Sequence, residues 1–232
     1  MKITWLGHNA WSLDTGSHKL LVDPLLDDSP TAPVKADEVE ADFILLSHGH
    51  GDHLGDTVAI AKRTGATVIT NYELSIWLAG QGVPQDHCVG MNPGGGYDLP
   101  SGRVKMTPAC HSSSLPDGSY AGVAMGIDLT AAGKRVYFAC DTSLMLDMRL
   151  IGDPAISGAP LDLAVLPIGD LFTMGPADAV EATKLLRPAK VTPCHYNTWP
   201  PIQQDAYAWA EQIKLHTAAD PVVLQPGESI TL

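Results

Sequence analysis

The segment Asp42-Phe43-Ile44-Leu45-Leu46 runs without interruption into Ser47-His48-Gly49-His50-Gly51-Asp52-His53-Leu54-Gly55-Asp56. The first part is a near-continuous apolar run, which predicts a strand buried on both faces. The second part carries four metal-ligating side chains, His48, His50, Asp52 and His53, within six residues. A chain with this junction needs a sheet covered on both sides and opened at one strand end into a polar cleft. With 9 His and 20 Asp in 232 residues, an HxHxDH pattern arises by chance in roughly one such chain in a thousand. Gly49 and Gly51 are expected to let the backbone bend tightly so that the imidazoles converge, and Asp52-His53 to open a helix. Without a cation, three imidazoles and a carboxylate gathered in one place suffer both repulsion and desolvation. A polar loop with surface histidines is the bland alternative, and it leaves the density of ligands unexplained.

No linker divides the chain, and short apolar runs alternate with turn signals throughout. Ile3–Leu6, Ala10–Leu13 and Lys19–Val22 read as an opening antiparallel meander, with Asp14-Thr15-Gly16-Ser17 as a hairpin turn. Pro24 to Glu40 reads as an acidic loop. Leu54–Arg63 is expected to form a helix closed by Gly65, and Tyr72–Ala79 a second one. Thr67–Thr70, Val104–Ala109, Tyr120–Leu129, Arg135–Ala139, Leu163–Pro167, Lys190–Cys194, Val222–Leu224 and Ser229–Leu232 read as strands. Pro176 opens a helix to about Leu186, and Gln203–His216 forms another. Strands with helices late in each half predict an α/β fold, two sheets face to face with helices outside. The expected organisation is one domain over 1–232, with similar halves near 1–102 and 103–232.

Composition removes several function classes. The formal charge of −12 repels a phosphate backbone, so a nucleic-acid partner is not expected. No apolar run approaches a membrane span, and the opening Met1-Lys2-Ile3-Thr4-Trp5 has no signal-peptide core, so no membrane partner is expected. Four Cys without CxxC spacing do not make a disulfide framework, which suits a reduced, cytoplasmic protein.

Three further candidates stand just past predicted strands, where loops carry function on a rigid scaffold: His111, Asp141 and His195. Each is weak evidence alone, and together with HxHxDH they are strong. Cys110, Cys140 and Cys194 each precede one of them. Strand alternation turns these cysteines toward the core rather than toward a metal.

With these residues in view, the chain resembles the metallo-β-lactamase superfamily along essentially its whole length. The likeness is to the metal-dependent hydrolase branch related to L-ascorbate-6-phosphate lactonases. The segments that carry it are Trp5-Leu6-Gly7-His8, Ser47 to Asp56, His111-Ser112-Ser113, Asp141-Thr142, Pro167-Ile168-Gly169 with Phe172-Thr173-Met174-Gly175-Pro176, and His195-Tyr196-Asn197-Thr198-Trp199-Pro200. The resemblance implies an αββα sandwich of two mixed sheets with the site along one edge. It implies that His48, His50 and His111 hold a first metal, that Asp52, His53 and His195 hold a second, and that Asp141 bridges them. The superfamily's oxygen-reducing di-iron branch usually has Glu where this chain has His50, which argues against that role. The motifs and basic exosite of the tRNA-processing branch are absent.

Two adjacent cations make a shared water acidic, so the expected nucleophile is a metal-bridging hydroxide oriented by Asp52 and Asp141. Zinc is the expected metal, because imidazole-rich sites suit it, with manganese, nickel or iron as alternatives. The expected substrate is a small ester, lactone or phosphoester. A mono-iron oxidoreductase acting on a thiol substrate and a non-catalytic metal-binding protein are the competing classes. Symmetric assemblies are common among such relatives, so a homo-oligomer is an open expectation.

Around the ligands, His8 is expected either to touch substrate or to support a ligand. Asp23 can accept the second ring N–H of a ligating His. Asp170 can line the cleft or cap the helix opened by Pro176. Tyr196 or Asn197 can donate to an oxyanion.

Overall fold

Strand alternation decides which residues face which layer in the computed structural model, which describes residues 1–232. In β3 (Lys19–Val22) and β4 (Phe43–Leu45), Leu20, Val22 and Leu45 enter the core between the two sheets. Their neighbours Leu21 and Ile44 face the opposite way, into a second apolar layer under the helices. This two-sided burial is what the apolar run at 42–46 demands.

The first sheet has seven strands in the order β14-β1-β2-β3-β4-β5-β6. It is formed by β1 (Lys2–Trp5), β2 (Trp11–Asp14), β3, β4, β5 (Thr67–Asn71), β6 (Cys88–Met91) and β14 (Ser229–Thr231). The second has the order β13-β12-β11-β10-β9-β8-β7. Its members are β7 (Gly96–Leu99), β8 (Gly102–Pro108), β9 (Met125–Ala131), β10 (Lys134–Phe138), β11 (Leu163–Pro167), β12 (Lys190–Cys194) and β13 (Asp220–Pro221). Both sheets are mixed in the same way. Antiparallel pairing runs from β14 to β3 and from β7 to β10, and parallel pairing completes each sheet. Trp11 and Phe138 are fully buried between them, with ring centroids 6.1 Å apart. The strand near the C-terminus, β14, joins the first sheet beside β1, whereas β7 at 96–99 already belongs to the second.

Helices α2 (Thr57–Thr64) and α3 (Tyr72–Gly80) bury Ile60, Ala61, Leu74 and Leu78 against the outer face of the first sheet. Helices α6 (Pro176–Leu186) and α7 (Ala206–His216) contribute Ala179, Val180, Trp209 and Ile213 to the larger core. The result is the expected αββα sandwich. Two short helices, α4 (Met148–Gly152) and α5 (Pro154–Ser157), precede β11.

Several boundaries differ from the sequence reading for local reasons. The helix expected over 54–63 is two pieces, α1 (Gly51–Leu54) and α2, broken at Gly55. Gly55 has φ +41, and a Cβ there would lie 2.5 Å from the Pro24 carbonyl oxygen. Asp56 then turns its carboxylate to accept the N–H groups of Leu26 and Asp27, at 2.8 and 3.0 Å. The strand expected from Tyr120 begins only at Met125, because Gly122 at φ +75 passes against the Asn71 side chain. Gln203 to Asp205 lie outside α7, where Asp205 caps the helix by accepting from Tyr207 and Ala208. The last pairing on β12 comes from Asp220–Pro221 rather than 222–224. The edge strands β6 and β7 were not anticipated, since each is four residues long and contains glycine.

Candidate metal centre

The ligand-type residues sit at the same rim of both sheets. His48, His50, Asp52 and His53 follow β4. His111, Asp141 and His195 follow β8, β10 and β12, and His8 and Asp23 follow β1 and β3. His8, Asp23 and His195 have φ of 49°, 41° and 53°. Left-handed residues directly after β3 and β12, at Asp23 and His195, and three positions after β1, at His8, swing their side chains toward the cleft, at a conformational cost of about 1 kcal/mol or more each.

Gly49 and Gly51 are not in that region, which corrects the tight-bend expectation for them. Gly49 is required by a close approach instead. A Cβ there would stand 2.4 Å from Ala121 Cβ and 3.1 Å from the Ser114 carbonyl oxygen. Its N–H donates to Ser113 Oγ at 3.2 Å, which ties the HxHxDH loop to the segment carrying His111.

The side chains form two adjoining groups. In the first, His48 Nε2 and His111 Nε2 approach His50 Nδ1 at 3.0 and 3.3 Å. In the second, Asp52 Oδ2 lies 3.1 Å from His8 Nε2, 3.6 Å from His195 Nε2 and 3.7 Å from His53 Nε2. In each group the candidate donor atoms lie within 4.8 Å of one another. Asp141 stands between the groups. Its Oδ1 is 3.2 Å from His53 Nε2, and its Oδ2 is 3.2 Å from His195 Nε2 and 3.4 Å from His111 Nε2.

The donor set fits a divalent cation. His53 Nε2, His195 Nε2 and Asp141 Oδ1 are buried and have no hydrogen-bond partner. Buried polar atoms left in this state are costly, and a cation at their focus satisfies them together. The tautomers agree. Asp23 Oδ2 lies 2.8 Å from His53 Nδ1, which donates to it and leaves Nε2 to face the centre. Ser47 spends its one hydroxyl proton on Asp23 Oδ2. Its oxygen, 2.9 Å from His48 Nδ1, is therefore an acceptor there, which leaves His48 Nε2 as a lone pair.

Charge follows the same division. Burial lowers His48, helped by the positive field of His53, and burial likewise lowers His111. Burial and then His195 bring His8 down to about 4. Burial works against charged His53 and His195, yet the Asp141 carboxylate outweighs it. It lifts His195 to about 9 and His53 well above its ordinary value. Burial would raise Asp52 and Asp141, but the rings around them hold both well below the usual carboxylate range.

His8 is fully buried and engaged at both nitrogens, by Asp52 and by Thr198 Oγ1 at 2.8 Å. That places it behind Asp52, which it orients. Three sequence candidates are not brought to the centre. Tyr196 is buried and stacks on Trp5 at 5.5 Å between ring centroids. Asn197 turns away at φ +57 and accepts from the Gln204 N–H at 2.8 Å. Asp170 is exposed in a tight turn against Gly175, at φ +71. Successive left-handed residues at 195 and 197 reverse the chain, so Thr198 and Trp199 reach His8 instead, Trp199 edge-on at 4.8 Å.

Cys140 and Cys194 are buried as expected, but Cys110 is exposed. β8 ends at Pro108, so strand alternation no longer governs residue 110. Sequence reasoning missed Ser47 and Asn9, which both donate to Asp23. It also missed Thr142, whose Oγ1 accepts from the Cys110 N–H at 2.9 Å and joins the loops of His111 and Asp141. Small hydroxyl and amide residues beside ligands carry no distinctive spacing, so only the adjacency of Ser47 to His48 was available as a signal.

Residues 18–196 match the family model described as a beta-lactamase superfamily domain. The chain is 46% identical over 232 residues to a UPF0173 metal-dependent hydrolase of Thermus thermophilus, covering 100% of this chain and 99% of that one. It is 46% identical over 235 residues to a UPF0173 metal-dependent hydrolase of Heliobacterium modesticaldum, covering 100% and 98%. Among solved structures, the metallo hydrolase Igni18 of Ignicoccus hospitalis superposes with a TM-score of 0.87 at 34% identity, covering 99% and 97% of the two chains. A cleft of imidazoles and carboxylates at the rim of an αββα sandwich, matched over its full length by these relatives, makes this chain a metal-dependent hydrolase of the metallo-β-lactamase superfamily.

Proposed function

We propose that the chain hydrolyses a small ester, lactone or phosphoester at a centre of two divalent cations, zinc by preference. The carrying observation is the position of Asp141, whose two oxygens face His53 on one side and His195 and His111 on the other. One carboxylate serving two imidazole groups suits a pair of cations better than one. His48, His50 and His111 would hold the first, and Asp52, His53 and His195 the second, with Asp141 shared.

Bound there, the cations would make a water acidic near neutral pH and polarise the scissile oxygen. The residues supply the rest. Asp23 and Ser47 fix which ring nitrogens face the centre. Asp52, the most open of the three site carboxylates at 32% side-chain exposure, turns Oδ2 to the imidazoles of His8, His53 and His195 and would orient the attacking water through its other oxygen. His8 holds Asp52 in that orientation from behind. The partner is a small molecule. All four cysteines are free thiols, which suits a reducing cytoplasm, and no helix is long and apolar enough to cross a membrane.

Elemental analysis of protein purified without chelator, paired with a lactone and phosphodiester panel, tests the reading. About two metal equivalents and turnover of at least one substrate class are expected. His50→Ala should remove first-site metal and turnover together. A single iron with oxygen uptake, or saturated metal without hydrolysis of any ester, lactone or phosphodiester, overturns it.

A further inference from the structure

One cavity, of about 400 Å³, opens on the centre through Asp52. Its apolar wall is made by Leu25, Leu54 and Trp199, and the Trp199 indole is 37% exposed while its ring edge abuts His8. Its charged groups are Asp28, Asp52 and Asp56, and no lysine, arginine or histidine lines it. Asp56 is committed to the backbone of the 26–27 loop, which it holds in place as the cavity wall. Asp28 is exposed and makes no hydrogen bond or ion pair. This wall is the surface beside Asp52 along which the remaining arm of a substrate can lie. There it meets a flat aromatic face, aliphatic carbon and the uncommitted carboxylate of Asp28.

We infer that this cleft selects substrates whose non-reacting arm is apolar and carries no negative charge, with Trp199 as the surface it packs on and Asp28 as the group that rejects anions. The inference rests on the hydrolytic two-metal reading and narrows its substrate class. Any anionic character of the substrate belongs at the reacting group, beside the cations. An anionic arm lying along Trp199, away from the cations, would face the Asp28 carboxylate with no lysine or arginine in the lining to answer it.

The test uses metal-replete protein and three benzylphosphonates that share one metal-seeking head. At the para position they carry hydrogen, trimethylammonium or carboxylate. Calorimetric affinity reports the arm independently of turnover. The hydrogen and trimethylammonium forms are expected to bind at least about fivefold tighter than the carboxylate form. Asp28→Lys should shrink that ratio about threefold or more, and Trp199→Ala should weaken the hydrogen form about fivefold. The same order is expected in kcat/KM for phenyl acetates with these substituents, each divided by its rate with hydroxide ion. Equal or tighter binding of the carboxylate form, or a ratio unmoved by Asp28→Lys, overturns the inference and leaves the two-metal reading standing. Failure of all three phosphonates to bind, together with no ester hydrolysis, brings down both.

Discussion

The Ser47 hydroxyl donates to Asp23 Oδ2 at 2.6 Å, and that one bond selects the tautomer of His48. The same Asp23 oxygen receives His53 Nδ1 and the Asn9 amide, while Oδ1 receives the Ser47 N–H. One fully buried carboxylate thus orients an imidazole in each metal-ligating group.

Asp23→Ala is therefore expected to weaken both sites. Loss of an orienting partner typically costs about 10–100-fold in metal affinity. Ser47→Ala should affect chiefly the His48 group. Competition titration with a chromophoric chelator, read as two separate binding steps, checks whether one step moves or both.

Metal uptake should release protons. At pH 7 without metal, His195, with its pKa near about 9, and His53, raised well above its ordinary value, carry protons that a cation must displace. His48 and His111 are lowered and give up none. Titration calorimetry in buffers of different ionisation enthalpy should report more protons displaced from the rings of the group around Asp52 than from His48 and His111. The raised His195 value also fixes a stability trend. Its contribution to metal-free protein is complete below its unfolded pKa of about 6.5 and is lost as pH rises through about 9. The thermal midpoint of metal-free protein should fall across that interval, while metal affinity rises.

Gly49→Ala should damage the centre more than its size suggests. The new methyl meets Ala121 Cβ at a distance no relaxed structure holds and crowds the Ser114 carbonyl. The segment carrying His111 must move, so a loss of about 1–3 kcal/mol in stability is expected, accompanied by weaker first-site metal. Gly51→Ala, with only Pro116 Cγ at 3.7 Å, is the matched control and should be mild. Chemical denaturation and metal content of both variants decide.

Cys110→Ala should leave metal content unchanged and stability within about 0.5 kcal/mol, because the side chain is exposed and only its backbone N–H and carbonyl are engaged. Loss of a metal equivalent would show the thiol to be a ligand.

Much of this arrangement was legible in the chain. The apolar run ending at Leu46 and the ligands after it required a rigid strand end, and β4 supplies one. Pro176 opened α6 where its fixed φ allows. What escaped notice was decided by the third dimension. Gly49 looked like a bend and proved to be a gap left for Ala121. Tyr196 and Asn197 looked close to the chemistry because they follow His195, yet left-handed residues at 195 and 197 turned them away from the centre and brought Thr198 and Trp199 in. Distance along the chain is a poor guide wherever the backbone reverses at consecutive positions.

The proposed ligands are contributed by both leaves of the sandwich, four following β4 in one and three following β8, β10 and β12 in the other. Cations seated among them act as a clasp across a seam. Unloading them would let this rim breathe while the opposite edges stay shut, so amide exchange in metal-free protein would quicken along one border of the molecule and spare the rest.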